Sequence, residues 1–345
     1  MKELLKKLSL AFGPSGCEDE VRELIYDEIK DYIDVDSSYV DALGNLIVHV
    51  GGSGKKMMIC AHMDEVGFMV TGITEMGTLK FGTVGGIDPI CLGAKRVISE
   101  SGVRGAIGAK PIHLLSKAER DAGPSIKNMV IDIGADTKEE AEALTFVGDY
   151  FTFDSGYCEY GNGYIKCKAL DDRLGCAIMC QLIKDIKNGV IEPKYDTYFA
   201  FTTREEIGYS GALPATVQIK PDYAIILESK AVADIYGVSD DKRVSILGDG
   251  VIISYADRGT IYERDFISHI KKIADENEVK NQVNLFISGG NDSANIQRGA
   301  CGTKVSTLSC ASRYIHSQSD VIHNDDFFAA YETVKHVLNK DMPKE

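Results

Sequence analysis

Histidines and carboxylates in this chain occur at spacings that suit a metal centre, and His62 with Asp64 is the first such pair. Both residues follow an apolar run, and in an extended chain residues two apart point to the same side. A metal-binding imidazole usually donates its other N–H group to a carboxylate, which fixes the tautomer and raises the basicity of the ring. His62 is therefore a candidate ligand, and Asp64 is a candidate orienting group. The alternative is a histidine that caps a strand end without binding metal.

Two pairs of adjacent carboxylates add to this set. Asp171-Asp172 precedes a predicted helix, and Glu205-Glu206 follows an apolar strand. Adjacent carboxylates repel each other unless cations neutralise them, and then one can bind metal while the other transfers protons. In the functional interpretation, one of the two aspartates bridges two cations. The alternatives are helix capping for the aspartates and a solvated acidic surface for the glutamates.

The predicted strands would bring these residues to one edge of a sheet. Three apolar runs are each followed by a candidate residue. His62 follows the first run, Glu205 comes shortly after the second, and Glu228 follows the third. In open α/β sheets, ligands bind beyond the carboxyl ends of the strands, so we expect these side chains to converge. His316, which lies near the end of the chain, is the last candidate ligand.

Helical and strand periodicities alternate over most of the chain. The main predicted helices are 18–33, 174–186, 263–276 and 327–338, and the main predicted strands are 45–50, 56–61, 198–203 and 223–227. This alternation predicts an α/β fold with a mostly parallel central sheet and flanking helices. Between about residues 68 and 158, short β-rich segments alternate with Gly and Pro, which predicts an inserted small β-barrel or β-sandwich. We therefore expect a catalytic α/β domain of residues 1–67 and 159–345, with residues 68–158 as an inserted β-rich domain.

Length and composition exclude several classes of protein. A chain of 345 residues favours two domains. The net charge of −14 argues against nucleic-acid binding, because phosphate contacts need a basic face. No apolar run reaches the roughly 18 residues of a membrane span, and the first residues lack the apolar run of a signal peptide. We expect a cytoplasmic protein without membrane association, whose nine cysteines are reduced thiols.

Four motifs, taken in order, resemble those of one family closely. They are Ala61-His62-Met63-Asp64-Glu65-Val66-Gly67, Lys168-Ala169-Leu170-Asp171-Asp172-Arg173, Arg204-Glu205-Glu206-Ile207-Gly208 and Arg313-Tyr314-Ile315-His316-Ser317. The family is that of the glutamyl/deblocking aminopeptidases, which are TET-type di-metal enzymes sometimes labelled cellulase M or endoglucanase. The resemblance covers nearly the whole chain and includes the insertion, where residues 92–97, 108–113 and 131–135 also match.

The resemblance implies a metal-dependent aminopeptidase that releases N-terminal residues from peptides. It implies that two divalent ions per subunit are bound by His62, Asp171, Glu206, Glu228 and His316, with Asp171 as the bridge. Glu205 would be the general base, and Asp64 would orient His62. Zinc is the expected metal for this mixture of imidazole and carboxylate ligands, although cobalt or manganese would also suit it. A homo-oligomer, a dodecamer built from dimers through the inserted domain, is implied as well.

The chain departs from the family pattern at Glu228, where Asp is usual, and at Tyr209-Ser210, so the preferred N-terminal residue stays open. Three alternative functions follow from the same residues. A related di-metal carboxypeptidase or N-deacylase would share the ligands. A glycoside hydrolase would need two carboxylates across a sugar bond and no metal. A catalytically silent scaffold would keep the metal site for stability alone.

Overall fold

The computed structural model describes residues 1–284, 286–300 and 302–341. Within them the helices are α1 Lys2–Leu10, α2 Asp19–Ile29, α3 Lys117–Ala122, α4 Lys138–Glu142, α5 Leu170–Lys187, α6 Ala212–Ile219, α7 Arg264–Glu276, α8 Ser293–Arg298 and α9 Asn324–Leu338. The strands are β1 Ser38–Val40, β2 Leu46–Gly51, β3 Lys56–His62, β4 Gly67–Ile73, β5 Leu79–Val84, β6 Arg96–Ser99, β7 Arg104–Ala109, β8 Met129–Asp132, β9 Tyr150–Phe153, β10 Cys158–Tyr160, β11 Tyr164–Cys167, β12 Asp196–Thr202, β13 Tyr223–Ala231, β14 Val251–Ser254, β15 Asn281–Asn284, β16 Lys304–Ser312 and β17 Asp320–His323. None of these helices is both long and apolar enough to span a membrane.

A sheet of eight strands lies at the centre of the larger α/β part, in the order β1-β2-β12-β3-β13-β16-β14-β15. The four strands β12, β3, β13 and β16 are parallel to one another, whereas β2 and β14 join this group in the antiparallel direction. Residues 57–61 of β3 and 223–227 of β13 are buried without interruption, as expected for parallel strands covered on both faces. The predicted α/β fold with its mostly parallel central sheet is confirmed.

Helix α5 is the central helix of the α/β part. It lies against β3 and β13 and also contacts α1, α2 and α9, so most of its surface is buried. This burial explains why its sequence is apolar nearly all round rather than on one stripe. Helices α6 and α8 contact each other and pack against β12 and β16, respectively. The helices thus pack against the strands, and the candidate residues lie at the carboxyl edge of the sheet.

The inserted segment forms the predicted barrel. Strands β4, β5, β8, β7, β6 and β9 close in that order, with antiparallel neighbours throughout. Phe68 is fully buried in its core and meets Phe81 and Phe153 edge to face, with ring centroids 5.4 and 5.2 Å away. The domain limits at residues 68 and 158 stay a prediction. The barrel strands run from Gly67 to Phe153, and β10, which begins at Cys158, belongs to a separate sheet with β11 and β17.

Candidate active site

The structure brings all five predicted metal ligands together at the carboxyl edge of the central sheet. His62 is the last residue of β3, and its register partner Thr202 is the last residue of β12. Glu206 lies in the loop that follows β12, and His316 lies in the loop that follows β16. Asp171 lies at the start of α5. The fifth, Glu228, is inside β13, which continues to Ala231 rather than ending at residue 227 as predicted.

Asp171 occupies the centre of this group. Its Oδ1 atom lies 3.3 Å from Nε2 of His62, and its Oδ2 atom lies 3.2 Å from Nε2 of His316. Glu228 Oε1 is 3.6 Å from Nε2 of His62, while Glu206 Oε1 is 3.2 Å from Nε2 of His316. The five side chains therefore form two halves that share one carboxylate.

The backbone is unusual at several of these positions. Ala169, Arg204 and His316 have φ angles of 53°, 57° and 59°, in the left-handed region that non-glycine residues seldom adopt. Asp171 and Asp172 depart from helical geometry, and the peptide bond between them is cis. Left-handed conformations of residues other than glycine cost roughly 1–3 kcal/mol each and concentrate at functional sites. Ala169 and Arg204, each two residues before a predicted ligand, and His316 itself are thus held by the surrounding structure, not by local preference.

Asp64 occupies the position expected of an orienting group. Its Oδ1 atom is 3.3 Å from Nδ1 of His62, and the same ring nitrogen donates to the main-chain oxygen of Asp64 at 3.1 Å. On the other side of the centre, Nδ1 of His316 donates to the main-chain oxygen of Gly86 at 2.7 Å. Gly86 belongs to the inserted segment, so the insertion helps to orient a ligand. The sequence did not indicate this contact, because a main-chain acceptor leaves no signature in residue type.

Glu205 stands beside the five ligands and lines the same cleft. Its side chain is largely buried, and its N–H group donates to Asp64 Oδ1 at 3.0 Å. The cleft has a volume of about 710 Å³ and is also lined by Glu206, Glu228 and His316. A carboxylate that reaches this space without being one of the close ligand contacts can exchange protons with a bound molecule.

Burial and charge shift the acid–base behaviour of the whole group. Burial raises the pKa of Glu205 well above its usual value, with the imidazole of His62 acting in the opposite direction. Burial, aided by the charge of Asp171, raises the pKa of Glu228 to about 8. Burial disfavours the charged form of His62, but contacts with Asp171 and Asp64 outweigh it and raise the imidazole pKa well above its usual value. These carboxyl groups lie close together and are poorly solvated, so positive charge bound beside them would stabilise their ionised forms.

The residues present fit divalent cations. Within the described parts of the chain, buried carboxylate oxygens without a hydrogen-bond partner include Asp171 Oδ1, Asp172 Oδ2 and Glu228 Oε2. Potential ligand atoms lie within 4.8 Å of one another in two groups: His62 with Asp171 and Glu206, and His62 with Asp172 and Glu228. Buried anionic oxygens are costly when unpaired, and imidazole with carboxylate is a donor set that zinc and similar metals accept.

The residue pattern alone does not decide whether Asp171 or Asp172 is the predicted bridging carboxylate. Asp172 Oδ1 accepts the N–H of Gly175 at 3.1 Å, so part of this side chain is used to cap helix α5. Asp171 instead contacts an imidazole with each of its oxygens. The geometry therefore favours Asp171 as the bridge.

Three other residues of the cleft were not predicted as catalytic or metal-binding from the sequence, although Tyr209 was noted as a departure from the family pattern. Tyr209, Lys230 and Arg258 line the wall of the cleft. Lys230 follows Glu228 by two residues in β13, so the strand periodicity could have placed both on the same face. The other two lie in loops, whose positions no periodicity predicts.

Comparison with known proteins identifies the family of this chain. Residues 44–332 match the family described as M42 glutamyl aminopeptidase. A lysyl aminopeptidase of Pyrococcus furiosus is 30% identical, and the alignment covers 99% of this chain and 98% of that protein. Among solved structures, a TET aminopeptidase from the marine sediment archaeon Thaumarchaeota archaeon SCGC AB-539-E09 has a TM-score of 0.94 at 30% identity, covering 98% of this chain and 96% of that one. The TET1 peptidase of Pyrococcus horikoshii has a TM-score of 0.86 at 35% identity, with 99% of each chain covered.

These matches confirm the family resemblance inferred from the four motifs. They cover the α/β part and the barrel alike, so they do not depend on a single domain. The family consists of metallopeptidases, which agrees with a site that fits divalent cations. The chain belongs to the M42 glutamyl aminopeptidase family, and a peptidase function follows from that membership.

Proposed function

We propose that the protein is a two-metal aminopeptidase in which Glu205 is the general base. The proposed ligands are His62, Asp171, Glu206, Glu228 and His316. The observation that carries the proposal is the position of Asp171, whose two oxygens each approach a different histidine, at 3.3 and 3.2 Å. A carboxylate placed in this way is suited to bind one cation with each of its oxygens.

Divalent cations bound here would supply Lewis acidity, which lowers the pKa of water and polarises a carbonyl group. The protein's own residues would do the rest. The carboxylate of Glu205 takes a proton from the attacking water and delivers it to the leaving amine. Asp64 holds His62 in one orientation throughout.

Family membership favours a substrate with a free amino terminus over one with a free carboxylate, because the matching family is described as glutamyl aminopeptidase and the relative from Pyrococcus furiosus is named a lysyl aminopeptidase. This argues for an aminopeptidase and against the related carboxypeptidase.

A panel of aminoacyl anilides and N-acyl amino acids tests the function, with the protein assayed before and after treatment with a chelator. We expect hydrolysis of the anilides that is lost with the metal and restored by zinc, cobalt or manganese. Cleavage of the N-acyl amino acids alone would instead establish the carboxypeptidase or N-deacylase. Hydrolysis of a β-glucan that survives chelation would establish the glycoside hydrolase.

We further propose a preference for an acidic first residue. Among the cleft-lining residues that the structure describes, the basic side chains besides His316 are Lys230 and Arg258. Lys230 Nζ donates to the main-chain oxygen of Ser288 at 2.6 Å, and an ammonium group has two further donors for a carboxylate. Burial lowers the pKa of Lys230, so an anionic partner would stabilise its charged form. A lysyl side chain, the one named for the Pyrococcus furiosus relative, would meet like charge here.

Lys230→Met is expected to lower kcat/KM for glutamyl anilide by roughly 10- to 100-fold and to leave leucyl anilide nearly unchanged. The reason is the loss of a charge-assisted hydrogen bond, which contributes about 1.5–3 kcal/mol. Steady-state kinetics on both substrates measure the ratio. The matched control is Lys272→Met, which removes an exposed lysine of α7. An equal fall for both substrates would contradict a role in specificity.

Glu228→Ala is expected to leave a single tightly bound ion per chain, because it removes a proposed ligand of the ion that His62 and Asp171 would also bind. Glu228 Oε2 is buried without a hydrogen-bond partner. The alternative is that Glu228 pairs with Lys230 or Arg313 at the rim and binds no metal, but Arg313 Nε is instead 2.6 Å from Asp234 Oδ1. Elemental analysis after dialysis against dilute chelator measures the stoichiometry. Glu228→Asp, which restores the residue usual in the family, is the control and should keep both ions. Two ions of unchanged affinity in Glu228→Ala would remove Glu228 from the ligand set.

We also propose that the chain forms a homo-oligomer, a dodecamer built from dimers, with contacts made by the inserted domain. The TET1 peptidase of Pyrococcus horikoshii can assemble into a tetrahedron or a large octahedral shell. On this chain, the insertion exposes Ile112 and Phe146, at 72% and 65% of their surface. Apolar side chains exposed to this extent favour burial against another molecule. Light scattering should give a mass far above 37.6 kDa, and a monomer at that mass would contradict the proposal.

A further inference from the structure

The turn that carries Glu205 is held by buried carboxylates through its main-chain N–H groups. The N–H of Arg204 donates to Glu18 Oε1 at 3.1 Å. The N–H groups of Glu205 and Glu206 donate to the two carboxylate oxygens of Asp64, at 3.0 and 3.1 Å. Three consecutive N–H groups are thus bound by two side chains that lie far away in sequence. The conformation of this turn includes a positive φ at Arg204 and needs such support.

The loop before helix α2 supplies part of this support. Ser15 Oγ donates to Asp64 Oδ2 at 2.5 Å, and the N–H of Ser15 donates to the main-chain oxygen of Glu65 at 3.2 Å. The N–H of Glu65 in turn donates to the main-chain oxygen of Gly13 at 3.0 Å. Residues 13–15 therefore lie alongside residues 64–65, directly behind His62. This loop lies outside residues 44–332, the part of the chain that matches the family.

Glu18 is an unusual residue for a helix start. It is only 4% exposed, and its Oε1 atom accepts the N–H of Gly16 at 2.8 Å as well as that of Arg204. Its side chain makes no capping bond to helix α2, although it occupies the N-cap position. Burial, together with the charge of Asp64, raises the pKa of Glu18 to about 7. The fold thus keeps a poorly solvated carboxyl group at this position, where an apolar residue would be easier to bury.

We propose that Glu18 and Ser15 are positioning residues, which fix the turn of residues 204–206 and so aim the carboxylate of Glu205. Glu18 acts on the turn directly, and Ser15 acts through Asp64. The inference rests on the proposed function, because it assigns these residues a role only through the general base. A general base must be held within a fraction of an ångström of its working position, and a displacement of about 1 Å can lower the rate by roughly 100-fold.

The test compares Glu18→Ala, which removes the acceptor, with Glu18→Gln, whose amide oxygen can still accept both N–H groups. We expect Glu18→Ala to lower kcat for an aminoacyl anilide by roughly 10- to 100-fold with KM nearly unchanged, and the assay uses excess metal because the same turn carries Glu206. Glu18→Gln should restore most of the activity. Glu23→Ala, at an exposed position of the same helix, is the matched control and should behave like the unaltered protein.

Hydrogen exchange gives a readout that does not depend on turnover. The amides of residues 204–206 should exchange faster in Glu18→Ala and at the normal rate in Glu23→Ala. Ser15→Ala, a smaller change, should show a weaker form of both effects if Glu18→Ala does not fold. Normal kcat in Glu18→Ala, or equal losses in the Ala and Gln variants, would overturn the proposal. If the unaltered protein hydrolyses no anilide, the proposed function fails, and the exchange data alone decide whether Glu18 holds the turn.

Discussion

Glu205→Gln is expected to bind its metal ions normally and to lose roughly 10²- to 10⁴-fold in kcat, which is the usual contribution of a general base. The amide has nearly the same shape as the carboxylate but cannot accept the proton. The N–H group of Glu205, which donates to Asp64 Oδ1, is unaffected by the change. The turn should therefore keep its conformation, and the loss should appear in kcat with little change in KM. Elemental analysis and steady-state kinetics on the same preparation measure both quantities.

Glu206→Gln is the informative companion, because it alters the neighbouring residue, which contacts His316. We expect it to lose metal as well as activity, so that excess metal partly restores turnover. Metal-loaded Glu205→Gln with near-normal turnover would remove Glu205 from the mechanism. The pH profile adds a further check. An acid limb of kcat that reports proton transfer by Glu205 should vanish in the metal-loaded Glu205→Gln variant.

The parts of the site that follow uninterrupted apolar strands could be predicted from sequence. Strand β3 ends at His62, directly after its apolar run, and β12 ends at Thr202, one residue before the predicted end. In both cases the end of the apolar run and the polarity of the residues that follow give nearly the same boundary. The alternation of helices and strands then predicts a parallel sheet, whose carboxyl ends share one edge.

Strand β13 shows why one boundary was missed. The apolar run stops at Leu227, but the strand continues because Glu228 to Ala231 pair with residues of β16. Ser229 is only 6% exposed, so polar residues here are buried by the sheet and the site. The predicted start of helix α5 was also wrong. The residue pattern predicts this helix from residue 174, yet it begins at Leu170 and includes two residues without helical geometry. Tertiary contacts decide both cases, and residue pattern does not encode them.

Contacts between distant segments were also beyond prediction. The sequence Gly-Pro-Ser-Gly at residues 13–16 predicts only a turn, but Ser15 Oγ donates to Asp64 Oδ2. The composition of the insertion predicts a barrel, whereas its closure depends on pairing between β4 and β9, which lie at opposite ends of the segment. Neither contact follows from periodicity, since both join residues that only the complete fold brings together.

A buried ion pair joins three parts of the molecule next to the site. Lys168 Nζ lies 2.5 Å from Glu65 Oε1 and also donates to the main-chain oxygen of Ala11 at 2.9 Å. Arg173 Nη2 is 3.5 Å from the same carboxylate oxygen, and Thr152 of the barrel donates to Glu65 Oε2 at 2.7 Å. Lys168, Glu65 and Arg173 are each no more than 3% exposed. The pair therefore connects the N-terminal segment, the barrel and the start of α5.

Lys168→Met is expected to destabilise the protein by about 3 kcal/mol, the lower end of the range for removing one partner of a buried ion pair, because Arg173 still lies 3.5 Å from Glu65. Methionine fills a similar volume, so the loss would come from the charge on Glu65 and the unpaired oxygen of Ala11 rather than from a cavity. The midpoint of guanidinium unfolding measures the change, at one protein concentration because assembly also stabilises the folded chain. Lys30→Met is the control. Its ammonium pairs with Asp27 at 2.8 Å on the exposed surface, where solvent screens the charges and little change is expected. If the two variants unfold at the same midpoint, the buried pair contributes no more than the surface one, and the connection between the three segments must depend on their apolar contacts.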